Sequence, residues 1–137
     1  AALNAVLEVR GLTADDAALA VKHGADGIVV SNHGGRYLDF APSTIEVLPE
    51  IVAAVNGKFP VLIDSGFRRG TDILKALSLG ASAVLLGRPP LWGLGAYGQP
   101  GVVKVLQLLE TELALAMGLS GKTKIAQLDR SLVRIER

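Results

Sequence analysis

The sequence predicts an α/β fold of short parallel strands covered by helices, and three observations carry that prediction. Half of the chain is hydrophobic but only 4% is aromatic, so the apolar residues are mostly Ala, Val, Leu and Ile. That is the composition of parallel strands buried on both faces. Four short apolar runs are each followed by apolar residues at helical spacing, and strand–helix alternation implies parallel pairing through crossovers. The strand starts, at positions 5, 27, 61 and 83, are spaced near the roughly 30 residues per unit of an eight-fold βα barrel. Four units make half of such a barrel. The expectation is therefore one domain over residues 1–137, a half-barrel of four βα units with a C-terminal helical tail.

The strands are expected at Ala5–Val9, Gly27–Val30, Val61–Ile63 and Ala83–Leu86. Thr13-Ala-Asp-Asp16 offers a hydroxyl and carboxylates to cap a helix running to about Lys22, which Gly24 stops. Ser43-Thr-Ile-Glu46 opens the second helix, with Ile45, Leu48, Ile51, Val52 and Val55 on one side and Asn56-Gly57 at its end. Thr71-Asp72 is expected to cap the third, which carries Ile73, Leu74 and Leu77 and closes at Gly80. The longest helix is expected from about Gly101 to Met117, and the charged tail 122–137 to form one further helix.

Bulk properties exclude several classes of function. A net charge of +1 gives no electrostatic case for nucleic acid or an anionic membrane. With no cysteine, disulfides, thiolate catalysis and cysteine zinc sites are out. No apolar run approaches the roughly 18 residues of a membrane span, so a soluble protein of the cytoplasm or another intracellular compartment is the expectation.

The residues that carry chemistry follow the strands. Ser31-Asn32-His33-Gly34-Gly35-Arg36 comes directly off Gly27-Ile28-Val29-Val30, at the strand end where parallel α/β proteins bind ligands. His33 can exchange a proton near neutral pH, and Arg36 can grip a carboxylate with two parallel hydrogen bonds. The next strand ends in Asp64-Ser-Gly-Phe-Arg-Arg-Gly-Thr-Asp72. Its glycines, Arg68, Arg69 and a helix start at Gly70-Thr71 suit an anion. The fourth strand ends in Leu86-Gly87-Arg88-Pro89, a second glycine–arginine pair. Phosphate sites recur in the loops after the last two strands of such barrels.

These three motifs, in this order and spacing, resemble the C-terminal half of the FMN-dependent 2-hydroxy-acid oxidising enzymes, over about residues 11–128. That family includes glycolate oxidase, lactate oxidase and flavin-dependent lactate dehydrogenase. The resemblance implies FMN as cofactor and a small (S)-2-hydroxy acid, such as lactate or glycolate, as substrate. It implies that His33 is the base and contacts substrate, that Arg36 grips the substrate carboxylate, and that Ser31 contacts the flavin. It also implies that Asp64, Ser65, Gly66, Phe67 and Arg68, with Gly87 and Arg88, hold the ribityl chain and phosphate. Where the family has a lysine that stabilises the reduced ring, gap-free alignment puts Val9, with Arg10 one step along. Ser65 and Tyr37 stand where Gly or Ala, and Gln, are usual.

The family's N-terminal half has no counterpart in the 137 residues, so a second copy or an N-terminal half-barrel is the expected partner. Two other readings stand beside the enzyme: a half-barrel that binds FMN or phosphate without turnover, and a self-assembling scaffold. His23 is expected to sit at a helix C-terminus, Trp92 and Tyr97 to pack, and Lys104, Glu110 and Glu112 to form a solvated helix face. Two histidines alone make no metal site.

Overall fold

A computed structural model describes residues 13–134. The strand expected at Ala5–Val9, and with it Val9 and Arg10, lies outside the described residues. Helix α1 (Ala14–Lys22) starts as its sequence dictates. The Thr13 hydroxyl accepts the Asp16 N–H at 3.2 Å and donates to the Asp16 carboxylate at 2.7 Å. His23 is the C-terminal cap, exposed, as expected there. Strand β1 (Ile28–Val30) is buried along its whole length. Helix α2 (Thr44–Val55) is capped by Glu46, whose carboxylate accepts the Ser43 N–H at 3.3 Å. It ends where Asn56 turns left-handed at φ 47 ahead of Gly57.

Strand β2 (Val61–Ile63) pairs in parallel with β1, placing Val30 beside Ile63. Helix α3 (Gly70–Ser78) and strand β3 (Ala83–Val84) follow, and β3 pairs in parallel with β2. The described sheet therefore runs β1-β2-β3 in chain order, as successive βα units of a barrel do. Strand β3 is shorter than expected, although the Leu85 N–H still donates to the Ile63 carbonyl at 2.8 Å. Ile28, Val30, Leu48, Ile51 and Ile63 fill the core between the sheet and its helices. Each large apolar side chain there contributes about 1.5–3 kcal/mol by leaving water.

Two expectations change. Helix α4 runs Arg88–Leu119 rather than from Gly101, with non-helical backbone at Tyr97 and Gly98 dividing it into two segments. Gly93 and Gly101 lie in contact across that bend, where a Cβ on either would collide with the other's backbone. The glycine-rich stretch is thus helical, because small residues let two helical segments touch. The tail forms two short 3₁₀ turns, Ile125–Gln127 and Arg130–Leu132, in place of one helix. Local side-chain bonds win over helical ones there. The Gln127 side-chain amide oxygen takes the Thr123 and Lys124 N–H groups at 2.9 and 3.1 Å, and the Asp129 carboxylate takes the Ser131 N–H at 2.8 Å.

Candidate active site

The chain leaves β1 through a tight turn. Asn32 accepts the Gly35 N–H on its carbonyl at 2.9 Å and on its side-chain oxygen at 3.1 Å. The two central residues, His33 and Gly34, have φ of 55° and 69°. Positive φ at both centres is the geometry of a type I′ turn, which glycine adopts freely and histidine at a cost. The Asn32 side-chain amide also donates to the Pro42 carbonyl at 3.0 Å, tying the turn to the approach to α2. The His33 ring stands edge-on to Tyr37, with centroids 4.9 Å apart.

Strand β2 ends beside this turn. The Ser65 hydroxyl accepts the Gly34 N–H at 3.0 Å and the Asn32 N–H at 3.4 Å, and donates to the Asp64 carboxylate at 2.6 Å. Thr44, only 1% exposed, donates its hydroxyl to the Asp64 carbonyl at 2.6 Å. Asn32 and Thr44 join the site as supports that the sequence motifs do not mark as functional. Their signals were an Asn ahead of a His-Gly-Gly turn and a Thr directly after a cap serine.

A cleft of about 290 Å³ opens over these strand ends. It brings together His33 and Arg36 from the first loop, Asp64, Ser65, Gly66, Phe67 and Arg68 from the second, and Gly87 and Arg88 from the third. The Arg88 side chain reaches over the first turn, since a Cβ on Gly34 would stand 3.0 Å from its guanidinium. Ser31 is the exception among the expected residues. It is 1% exposed, does not line the cleft, and accepts the His33 N–H at 3.2 Å. The structure places it behind the turn, as a support.

The residues fit a phosphorylated cofactor. Two guanidinium groups, Arg68 and Arg88, share the cleft, and guanidinium matches phosphate oxygens in geometry as well as charge. A Cβ would meet nothing within 4 Å at Gly66, with φ +94°, or at Gly87, so a ligand can approach the backbone closely at both. Pro89 and Pro90 lack N–H groups, which leaves Gly87 and Arg88 to supply the donors that the start of α4 cannot satisfy internally.

The α3 terminus corrects an expectation. It was expected to hold the anion at Gly70-Thr71, yet carboxylates of the chain already occupy it. Asp72 accepts the Arg68 and Arg69 N–H groups at 3.1 and 3.0 Å, and Glu112 accepts the Gly70 N–H at 2.8 Å. Arg69 pairs with Glu112 at 2.9 Å and does not line the cleft. Glu112 is therefore no simple member of a solvated face: the Gly70 N–H, and then the Arg69 side chain, hold its carboxyl below the usual value. Trp92 and Tyr97, expected to pack, are 52% and 80% exposed. Trp92 instead lies 5.2 Å from the Arg68 guanidinium, in a cation–π contact at the cleft edge. The described residues contain no group of three or more His, Cys, Asp or Glu able to hold a metal ion. They also contain no helix long and apolar enough to cross a membrane.

Known proteins share this architecture. The chain is 58% identical over 123 residues to mouse 2-hydroxyacid oxidase 1, covering 90% of this chain and 33% of that protein. It is 58% identical over 124 residues to L-lactate oxidase of Nostoc sp., covering 90% and 34%. The chain spans about a third of the length of the curated relatives it matches. A solved mandelate oxidase variant carrying a monooxide FMN adduct superposes with a TM-score of 0.84 at 56% identity, covering 88% of this chain and 38% of that one. That barrel enzyme places the β1-β2-β3 sheet as part of a TIM barrel. Residues 7–135 match the family described as FMN-dependent dehydrogenase. On that match, the chain belongs to the FMN-dependent dehydrogenase family.

Proposed function

We propose that the protein oxidises a small (S)-2-hydroxy acid, such as lactate or glycolate, to the 2-oxo acid with FMN as cofactor, and that this chain carries its base, its carboxylate clamp and its phosphate anchor. The observation that carries the reading is that His33, Arg36, Arg68 and Arg88 line a single cleft.

The roles follow from the groups. Arg36 binds the substrate carboxylate through its forked N–H donors and so aims the hydroxyl-bearing carbon into the cleft. His33, three residues away, accepts a proton as the alcohol becomes a carbonyl. FMN, when bound, supplies the chemistry of a two-electron acceptor. Arg68, Arg88 and the Gly87–Arg88 backbone hold its phosphate, while Gly66 lets the chain approach it closely. Asp64, tied to Ser65 through one carboxylate oxygen, keeps the other for a ligand hydroxyl. Tight curvature of the turn holds His33 and Arg36 over the same opening.

Two titrations test the reading. FMN is expected to bind, riboflavin to bind much more weakly, and lactate or glycolate to be oxidised by the loaded protein. Equal affinity for the two flavins would remove the phosphate anchor. Flavin binding without turnover of any 2-hydroxy acid would reduce the protein to a binding module.

A further inference from the structure

We propose that Ser65 is a positioning residue: its hydroxyl holds the turn that carries His33, and it is not itself a contact to the cofactor. The inference rests on the reading of His33 as the base. The Ser65 hydroxyl has one proton to donate and two lone pairs to accept with. All three are engaged within the chain. The proton goes to the Asp64 carboxylate, at 2.6 Å, and the lone pairs take the N–H groups of Gly34 and Asn32, at 3.0 and 3.4 Å. Nothing is left on that oxygen for a ligand unless one of these bonds breaks.

The two amides that Ser65 holds lie on either side of His33, whose own N–H goes to the Ser31 hydroxyl at 3.2 Å. Three successive backbone N–H groups, from Asn32 to Gly34, therefore end on two serine hydroxyls. The anchor is itself tied down. Buried Thr44 donates to the carbonyls of Asp64 at 2.6 Å and Ser65 at 3.3 Å, fastening the end of β2 to the start of α2. Asp64 decides which way the Ser65 proton points, and so leaves both lone pairs facing the turn.

Ser65 also keeps φ at +73°, a backbone state that glycine would occupy without strain. Glycine at this position would ease the backbone but would lack the hydroxyl that meets the His33 turn. Those contacts set the direction from which the base meets its substrate.

The test is hydrogen–deuterium exchange read by mass spectrometry on the full protein, with Ser65→Gly and Ser65→Ala beside wild type, together with FMN titration and steady-state kinetics. Both variants are expected to exchange severalfold faster in the peptide over 31–35, with other segments unchanged. In both, kcat is expected to fall roughly tenfold to a hundredfold, KM to change less, and FMN affinity to hold. Glycine relieves the backbone strain that alanine keeps, so the same result in both assigns the effect to the hydroxyl. Unchanged exchange in the turn overturns the proposal, as does a change confined to Ser65→Ala. So does a loss of FMN affinity that matches the loss of kcat, because Ser65 would then be a cofactor contact. If wild type neither binds FMN nor oxidises a 2-hydroxy acid, the proposed function falls, while the exchange comparison still decides whether Ser65 holds the turn.

Discussion

At the scale of the residue, the site depends on a few side chains whose losses should separate cleanly. His33→Ala removes the base and leaves the phosphate anchor in place. Turnover should fall about 10²–10⁴-fold, the usual contribution of general acid–base catalysis, with FMN affinity retained. Arg36→Lys keeps the charge but loses the fork. KM for the hydroxy acid should rise roughly tenfold to a hundredfold, in line with a lost hydrogen bond between charged groups worth about 1.5–3 kcal/mol. Equal loss of flavin in both variants would show the loop to be structural. Arg68→Ala and Arg88→Ala should act in the opposite sense, weakening FMN and flattening its salt dependence, since each removes a phosphate partner. Trp92 adds a check on Arg68. The guanidinium rests 5.2 Å from its ring, and Trp92 is the only tryptophan of the chain. Its fluorescence should therefore respond to FMN in wild type, and less in Arg68→Ala.

At the scale of the element, the junction of α3 with α4 is a close contact. A Cβ at Gly70 would run into the backbone of Glu112 and Leu113. Gly70→Ala should therefore destabilise the protein by about 1–3 kcal/mol, the range for forced overpacking, as measured by urea unfolding. The same junction is sensitive to acid. Hydrogen bonds from the Gly70 N–H and from Arg69 lower the Glu112 carboxyl below its ordinary 4.5. A carboxyl lowered on folding contributes stability above its unfolded value, and that contribution is lost as pH falls through the folded one. Wild type should exceed Glu112→Gln in stability at neutral pH, and the two should converge in acid below about pH 4.5. A difference that persisted at low pH would mean the carboxylate charge has no part in holding α3 to α4. In the tail, hydrogen bonds from Ser131, and then from Lys122, lower Asp129 to about 2, so its hold on the Arg130–Leu132 turn should be lost only in strong acid.

At the scale of the whole molecule, apolar surface is left in view. Leu85, Leu91, Leu94 and Leu115 are all exposed, as is Trp92. Strand β3 has β2 as its one sheet neighbour among the described residues. An open sheet edge and exposed leucines on one molecule favour association. Residues 1–137 taken alone should therefore run in light scattering as a dimer or larger. A well-folded monomer at micromolar concentration would contradict this.

Much of this is legible in the chain read linearly: strand–helix alternation, parallel pairing, the three described strands to within a residue or two, and the placing of the three motifs at strand ends. Those features are local or periodic, and a period of two or 3.6 survives without knowledge of what packs on it. The caps of α1 and α2 were legible for the same reason, because Thr13 with Asp16, and Ser43 with Glu46, meet within one turn. Contacts between elements distant in the chain are legible only in space. Nothing local in Glu112 says that it will occupy the N-terminus of α3, 42 positions back, and displace the anion expected there. Nor does a glycine-rich stretch reveal that Gly93 will seat against Gly101 and allow α4 to begin at Arg88. Ser65 illustrates the division most closely. Its neighbours in sequence marked it as part of a ligand loop, whereas its partners in space, 31 and 33 residues away, make it the fastening of the His33 turn. Hydrogen-bond valence is satisfied in three dimensions, and a sequence records only the atoms available to satisfy it.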